Sequence, residues 1–477
     1  MENLEQELKK DAAKAIDVLK AGSKKPQDIE KIVKEYKAID RTIRLTQVGN
    51  IQKDKTIGKG EKAKLVPGVR IPVHFQKKIV ETSVAFEVGE PSTLIPSVKN
   101  QLSELIAKLW KTNRLDSKIQ KMKLLQKSQT EGAVQFYMKD IEEGSLFLKM
   151  LSLIGIKDQK KEIKCNILDN TKGTMSPYFN AFGDMVAFVW VFIVKDSEGK
   201  DVKNAWIYDD ANVYKCDENK GNMSWVSTEK HGFSKIPIVY IAQDNPEYFD
   251  VQAMIDRYEV TLSKLGASND YSGHPMLKIF GKVENAPDKD EDGKAWIIPV
   301  SVDDEGNEVK GDVEFLNNEN AGESVALELE KLEDLIWAIS STPNLSLNNL
   351  KDLGALSGIA IKLLFLEPIL KAKLNEGDNR TMYERILNVI ISGIVTTTNI
   401  KLSNESQQLF YDVQFNSILP DDLKSTVETL VAGVAGGIIS AETAVGVLDM
   451  TGDAEAEIKK IQEALELKKE KEPVIGE

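Results

Sequence analysis

Apolar and polar residues recur along this chain with two periods, and the change of period marks its parts. Residues 1–45 carry interspersed Lys and Glu and read as helix. Residues 46–70 are rich in Gly and Lys without periodicity, which predicts a loop or linker. IPVHFQKKIVETSVAFEVGEP at 71–91 mixes β-branched and aromatic residues before a Gly-Glu-Pro turn. A helix then a strand fits there, although periodicity alone does not decide. Residues 96–127 read as helical. From about 133 to 241 short strands follow, among them MVAFVWVFIV (185–194), NAWIYDDANVYKC (204–216) and IPIVYIA (236–242), separated by polar turns at 196–200 and 217–222. This predicts an α+β domain with an antiparallel sheet.

The helical period then returns. Val251, Ile255, Tyr258, Leu262 and Leu265 form one narrow apolar seam, and Val325, Leu329, Leu332, Ile336 and Ile339 repeat its spacing. Between them lie MLKIFG, AWIIPVSV and NEVKGDVEFLN, joined by acidic turns. Two seam helices flanking a small β module point to a stalk with a cap at its tip. A helical hairpin in an ordinary globular core accounts for the same spacing. Pro343 ends the second helix, and a polar stretch with two glycines predicts a loop to about 357. A long helix over 358–395 should be kinked by Pro368. Residues 405–415 read as a strand. The tail reads as a small helical unit, with Pro420, Asp421 and Asp422 at a helix start, Ser440 and Asp453 as N-caps and Gly452 as a stop.

Length and charge narrow the picture. The 477 residues allow two to four domains, and 42% hydrophobic with 29% charged residues is globular composition. A net charge of −13 gives no average attraction for phosphate. Cys165 and Cys216 are too few for a disulfide framework and read as small buried hydrophobes. The charged N-terminus has no apolar core of a signal peptide, and no apolar run reaches membrane-spanning length.

Catalytic chemistry is hard to find. There is no phosphate loop of the GxxxxGK[ST] type and no HExxH, and His74, His231 and His274 stand far apart. No catalytic residue, metal site or cofactor is therefore expected. Asp288, Asp290 and Asp292 with Gly293 match the first half of a calcium loop, but position twelve is Pro299 where a bidentate Glu is needed. An exposed acidic turn, with adventitious Ca²⁺ at most, is the better reading. The Lys-rich stretch at 53–70 lacks the interleaved aromatics of a single-strand binder.

Four segments, in order and with matching gaps, resemble the portal proteins of tailed bacteriophages, the group similar to the portal of phage SPP1. They are IPVHFQKKIVETSVAFEVGEP, DNPEYFDVQAMIDRYEVTLSKLGASND, ALSGIAIKLLFLEPILKAK, and the tail from FNSILPDD through GIISAETAVGVLDMTGDAEAEIKKIQEA. The resemblance spans roughly 70 to 465. It implies an α+β portal fold: an α/β wing (1–245), a stem of two helices (246–273 and 322–341), a small β clip (274–321), a tunnel loop (342–357), a long kinked helix of the wing (358–395) and a helical crown (396–477). It implies a homo-oligomeric ring of about twelve subunits at one capsid vertex. Its expected partners are the large terminase subunit, a head–tail adaptor, and the major capsid and scaffolding proteins. Double-stranded DNA would pass through without sequence specificity. The resemblance further implies no membrane and a location in the virion, after assembly in the host cytoplasm. Asn344, Asn348, Asn349 and Lys351 would face the DNA channel, and Asp288, Asp290, Asp292, Asp303, Asp304 and Glu305 would dock a partner. Two rivals remain: a minor head or connector protein, and a packaging enzyme, which would need clustered acids for Mg²⁺ or a phosphate loop.

Overall fold

The chain is seen in a computed structural model that describes residues 4–23, 28–39, 41–44, 52–57, 63–140, 161–195, 197–219, 221–272, 277–280, 301–302, 308–309, 312–315, 321–344, 363–397, 400–416, 418, 423–448 and 454–471. It divides into a body, Met1–Ser346 with Glu367–Asn416, and a C-terminal unit, Leu347–Leu366 with Ser417–Glu477.

The body opens with α1 (Leu4–Ala21) and α2 (Ile29–Tyr36). The first is kinked at Asp11, whose carboxylate accepts from Lys14 N and restarts the helix as an N-cap does. The expected linker at 46–70 contains a short antiparallel pair, β1 (Lys55–Ile57) with β2 (Lys64–Val66). Three-residue strands are too short to leave a periodic signature. Then come α3 (Phe75–Val88), β3 (Thr93–Pro96), α4 (Gln101–Thr112) and α5 (Leu115–Gln129). Within 71–91 the helix α3 forms, and the strand lies just beyond that segment, at Thr93–Pro96.

Among the described residues eight strands follow: β4 (Glu131–Asp140), β5 (Lys161–Leu168), β6 (Gly173–Phe179), β7 (Met185–Lys195), β8 (Asp201–Tyr208), β9 (Asn212–Asn219), β10 (Asn222–Lys230) and β11 (Ile238–Ala242). They make two antiparallel sheets, β10-β9-β8-β7-β6 and β11-β4-β5. Period-two alternation sorts the side chains into layers. Ala187, Val189 and Val191 face α1 through Leu8, Ile16 and Leu19. Phe188 and Trp190 face the smaller sheet at Ala133, Leu168 and Ile238. Val134, Phe136, Ile163 and Cys165, on the far side of that sheet, meet the helical layer of α3, α4 and α5. Cys216 and Cys165 are buried free thiols in these layers.

The chain continues through α6 (Gln252–Ser272), β12 (Leu277–Phe280), β13 (Ser301–Val302), β14 (Glu308–Val309), β15 (Asp312–Phe315) and α7 (Ala321–Ile339). β12 pairs with β15 and β13 with β14, both antiparallel, so strands do lie between the two seam helices. The long helix expected over 358–395 is instead divided. α8 (Leu366–Leu374) and α9 (Glu376–Thr397) meet at a turn at Asn375. Residues 363 and 364 are helical, Phe365 is a turn and α8 restarts at Leu366, so the helical run is interrupted one turn before Pro368, whose ring and missing N–H disfavour an unbroken helix there. After α10 (Ile400–Ser406), β16 (Tyr411–Gln414) pairs with β3.

The C-terminal unit contains α11 (Leu423–Ala435), α12 (Ala441–Leu448) and α13 (Ala454–Lys471). Ser440 Oγ accepts from Thr443 N at 3.1 Å, the expected N-cap. Pro420, Asp421, Asp422, Gly452 and Asp453 lie outside the described residues.

Candidate functional site

The seam helices α6 and α7 run antiparallel within the body. Arg257 and Thr261 of α6 both meet Glu328 of α7, whereas Phe75 of α3 touches Tyr258 of α6 and Trp337 of α7 at ring-centroid distances of 5.1 and 5.0 Å. Val251, Ile255 and Ile336 are buried there. Tyr258, Leu262, Leu265, Val325, Leu329 and Leu332 are half-buried, and Ile339 is exposed. Leu327 and Leu335 also face solvent, so the single chain leaves three large apolar side chains of α7 uncovered.

The apolar seam is not the whole buried face of α6. Glu259 and Ser263 are fully buried beside it. An extended segment runs along the helix here and needs acceptors for its backbone. Val73 N donates to Glu259 Oε1 at 2.7 Å and Ile71 N to Ser263 Oγ at 2.9 Å. Gly266 permits this close approach, since a Cβ there would lie 3.1 Å from Val69 Cγ1. Arg41, also fully buried, donates to Glu259, to Val73 O at 2.5 Å and to Gln76 Oε1 at 2.6 Å. Burial pushes the Glu259 carboxyl above the ordinary carboxylate range, although Arg41 opposes it.

A second charged cluster sits where α6 begins, α7 ends and α8 passes. Glu87 of α3 contacts Lys123 Nζ at 2.9 Å and Lys127 Nζ at 2.8 Å, both from α5. Lys127 also reaches Glu247 at 3.0 Å, and Lys371 of α8 reaches Glu247 at 2.6 Å. Asn375 Nδ2 and Asn379 Nδ2 donate to the two oxygens of Glu87 at 2.6 and 3.3 Å. Lys371 Nζ additionally donates to Ser340 O at 3.0 Å, just past the C-terminus of α7, where a cation complements the helix dipole. Burial opposes ionisation of Glu247, but Lys127 and Lys371 outweigh it and hold its carboxyl at about 2. Lys123 and Lys127 likewise outweigh burial at Glu87 and lower its carboxyl. Burial lowers the Lys123 ammonium, whereas at Lys127 burial is overcome by Glu87 and Glu247 and the ammonium is raised. The cluster ties α3, α5, the segment at Glu247, the end of α7, and α8 with α9 into one base for the helical pair.

Of the residues expected to face DNA, Asn344 is described and half-buried, two residues beyond Thr342. Asn348, Asn349 and Lys351 lie outside the described residues, as do Asp288, Asp290, Asp292, Asp303, Asp304 and Glu305. The structure therefore brings together the helices that carry the two seams and, of the two polar sets, places Asn344 alone. Among the described residues, no group of His, Cys, Asp and Glu is arranged to hold a metal ion, and no helix is long and apolar enough to cross a membrane. His74 stands at the N-terminus of α3, and His231 contacts Asp209 O and Phe233 N, both structural settings; His274 lies outside the described residues.

The described residues thus form a helical pair that flanks short strands and is rooted in a layered α/β body. The family described as phage portal protein, SPP1 Gp6-like, matches residues 18–471, and the chain belongs to that family. The portal protein of Bacillus phage SPP1 is 23% identical over 307 residues, which cover 60% of this chain. The chain spans 58% of the length of that curated relative. A solved structure described as the neck of an empty GTA particle, computed with C6 symmetry, is 12% identical with a TM-score of 0.37, covering 79% of this chain and 88% of that one.

Proposed function

We propose that this portal-family chain assembles into a closed ring of about twelve copies at one capsid vertex, a conduit for double-stranded DNA during packaging and ejection. The observation that carries the reading is the α6–α7 pair, joined to the body by buried charges yet with Leu327, Leu335 and Ile339 of α7 uncovered in the single chain. Exposed apolar residues on a helix are the material of a helix–helix contact between neighbours. Strands β12–β15 at the far end of the pair belong to the surface that docks the large terminase and later the head–tail adaptor, with Asp303, Asp304 and Glu305 among its acids. Asn344, Asn348, Asn349 and Lys351 would touch passing phosphates weakly, since amides and a flexible ammonium release more readily than bidentate Arg. A ring of about twelve would carry roughly −156 in all, which suits DNA that slides. The ring would sit among major capsid and scaffolding proteins in the virion, after assembly in the host cytoplasm.

The test is assembly. Purified protein should give centrally perforated rings in negative stain. Leu335→Asp alters a residue 48% exposed in the single chain, so the body should fold while rings fail to form. Rings of unchanged size in light scattering of Leu335→Asp would remove the α6–α7 pair from the subunit contact.

A further inference from the structure

The five-stranded sheet carries an uncovered aromatic residue at one end and an aromatic cleft at the other. At the first end, the β6–β7 turn presents Phe182, 92% exposed. This turn is rigid for its size. Asn180 Oδ1 accepts from Phe182 N and Asp184 N, both at 2.9 Å, Asn180 N donates to Asp184 O, and Gly183 supplies a φ of +87°. A Phe held out by a braced turn has little backbone entropy left to lose on docking. Asp184 and Asp210 stand exposed at the same end.

At the second end, the larger sheet extends past the smaller one and leaves a cleft of about 750 Å³. Its walls include Trp190, Phe192 and Trp206, with Phe192 edge-on to Trp206 at 5.2 Å and stacked on Trp190 at 6.0 Å. Lys172 and Lys203 line its rim. Asn170 Nδ2 is buried at the cleft without a hydrogen-bond partner, a donor that awaits an acceptor. From Met185 to Phe192 the strand covers about 20–25 Å, so Phe182 cannot reach the cleft of its own chain.

We propose that Phe182 of one copy seats in the Trp190–Phe192–Trp206 cleft of a neighbouring copy, with Asp184 meeting Lys172 or Lys203 and a turn carbonyl accepting from Asn170. The occupant is a second copy of this chain because the two patches match in character and charge, an exposed ring for aromatic walls and Asp184 for Lys172 or Lys203, yet lie at opposite ends of one sheet. Such a head-to-tail contact, made of two different patches, is the kind that closes rings. The inference rests on the ring reading above and adds a contact outside the α6–α7 pair.

Two measurements on the full-length chain test it. Phe182→Asp should raise the protein concentration needed for assembly roughly ten- to hundredfold, as expected for losing one buried aromatic contact, with the circular dichroism unchanged. The double variant Phe182→Cys, Lys203→Cys should give, on mild oxidation, a ladder of covalently linked subunits that neither single variant gives. Normal assembly of Phe182→Asp together with no ladder from wild-type-sized rings overturns this contact and leaves the ring reading standing. A wild-type chain that stays monomeric at every concentration overturns the ring reading, and this contact with it.

Discussion

The body and the C-terminal unit bury their side chains to very different extents. In the body, apolar residues fill three connected layers, and even charged groups such as Arg41, Glu87, Lys123 and Glu259 lie inside with matched partners. In the C-terminal unit, Ala444 is the one buried residue among those described, while Val431, Val447 and, at 83%, Ile438 are exposed. A short helical unit encloses little of its own surface, so local devices matter more there: the Ser440 cap and the turn that ends α11. The contrast teaches where each part is fragile. The body should fail when a buried charge loses its partner, the C-terminal unit when a local backbone preference is removed.

The largest expected effect is at the charged base of the helical pair. Lys127→Met leaves Glu87 and Glu247 buried with one ammonium fewer each, and removing one member of a buried ionic cluster costs about 3–5 kcal/mol. Denaturant unfolding followed by tryptophan fluorescence should register that loss. Val431→Ser in the C-terminal unit should stay within about 0.5 kcal/mol of wild type. A loss below about 1 kcal/mol for Lys127→Met would show that the apolar layers alone hold the body.

Acid should expose the same difference. The Glu247 carboxyl is held at about 2 against an ordinary value of 4.5, so its folded-state value is depressed. Such a group stabilises the fold fully above the unfolded value and loses that contribution as pH falls from about 4.5 to about 2. The contribution is on the order of 3 kcal/mol, with Glu87 adding in the same direction. Glu247→Gln should flatten the fall in stability across this window. An equally steep fall in that variant would place the acid sensitivity elsewhere.

Much of this architecture was legible in the sequence because it follows from periodicity. Phe188 and Trp190 alternate with Val189 and Val191, and the structure sends the two sets to opposite faces. Val251, Ile255 and Ile336 were readable as seam positions by the same logic. The charged base was not, because Glu87, Lys123, Lys127, Glu247 and Lys371 come from distant parts of the chain and each alone resembles a solvated surface residue. A weak signal existed: Lys123 and Lys127 lie one turn apart on a helix, beside the buried Met122 and Leu125. Glu259 and Ser263 were hidden for another reason. They satisfy backbone donors of a non-helical segment, which no pattern within the helix itself announces. Pro368 was legible as a disruption, since a turn at Phe365 separates helical residues 363 and 364 from α8, whereas the second break, at Asn375, has no proline to announce it.

The finest comparison is between two helix ends with the same hydrogen bonds and different residues. α7 ends with Thr342 N donating to Trp337 O and Ser341 N to Ala338 O, with Ser341 at a φ of +53°. α11 ends with Ile438 N donating to Gly433 O and Gly437 N to Val434 O, with Gly437 at a φ of +68°. Both are Schellman turns, which require a left-handed residue at the position after the cap. Glycine takes that conformation without strain, whereas a residue with a Cβ pays about 1 kcal/mol or more. In the body the strain at Ser341 is carried by its surroundings, because Lys371 holds Ser340 O and Ile336 is buried one turn back. The C-terminal unit has no such reserve among its described residues. Ser341→Gly should therefore stabilise the end of α7 by up to about 1 kcal/mol, the relief being partly offset by the freer unfolded glycine. Gly437→Ala should destabilise the end of α11 by about 1 kcal/mol. Amide hydrogen exchange reads both locally: protection near Thr342 should rise up to roughly fivefold, and protection near Ile438 should fall by a similar factor. Equal protection at Ile438 in Gly437→Ala would mean that packing, and not the turn, holds the end of α11.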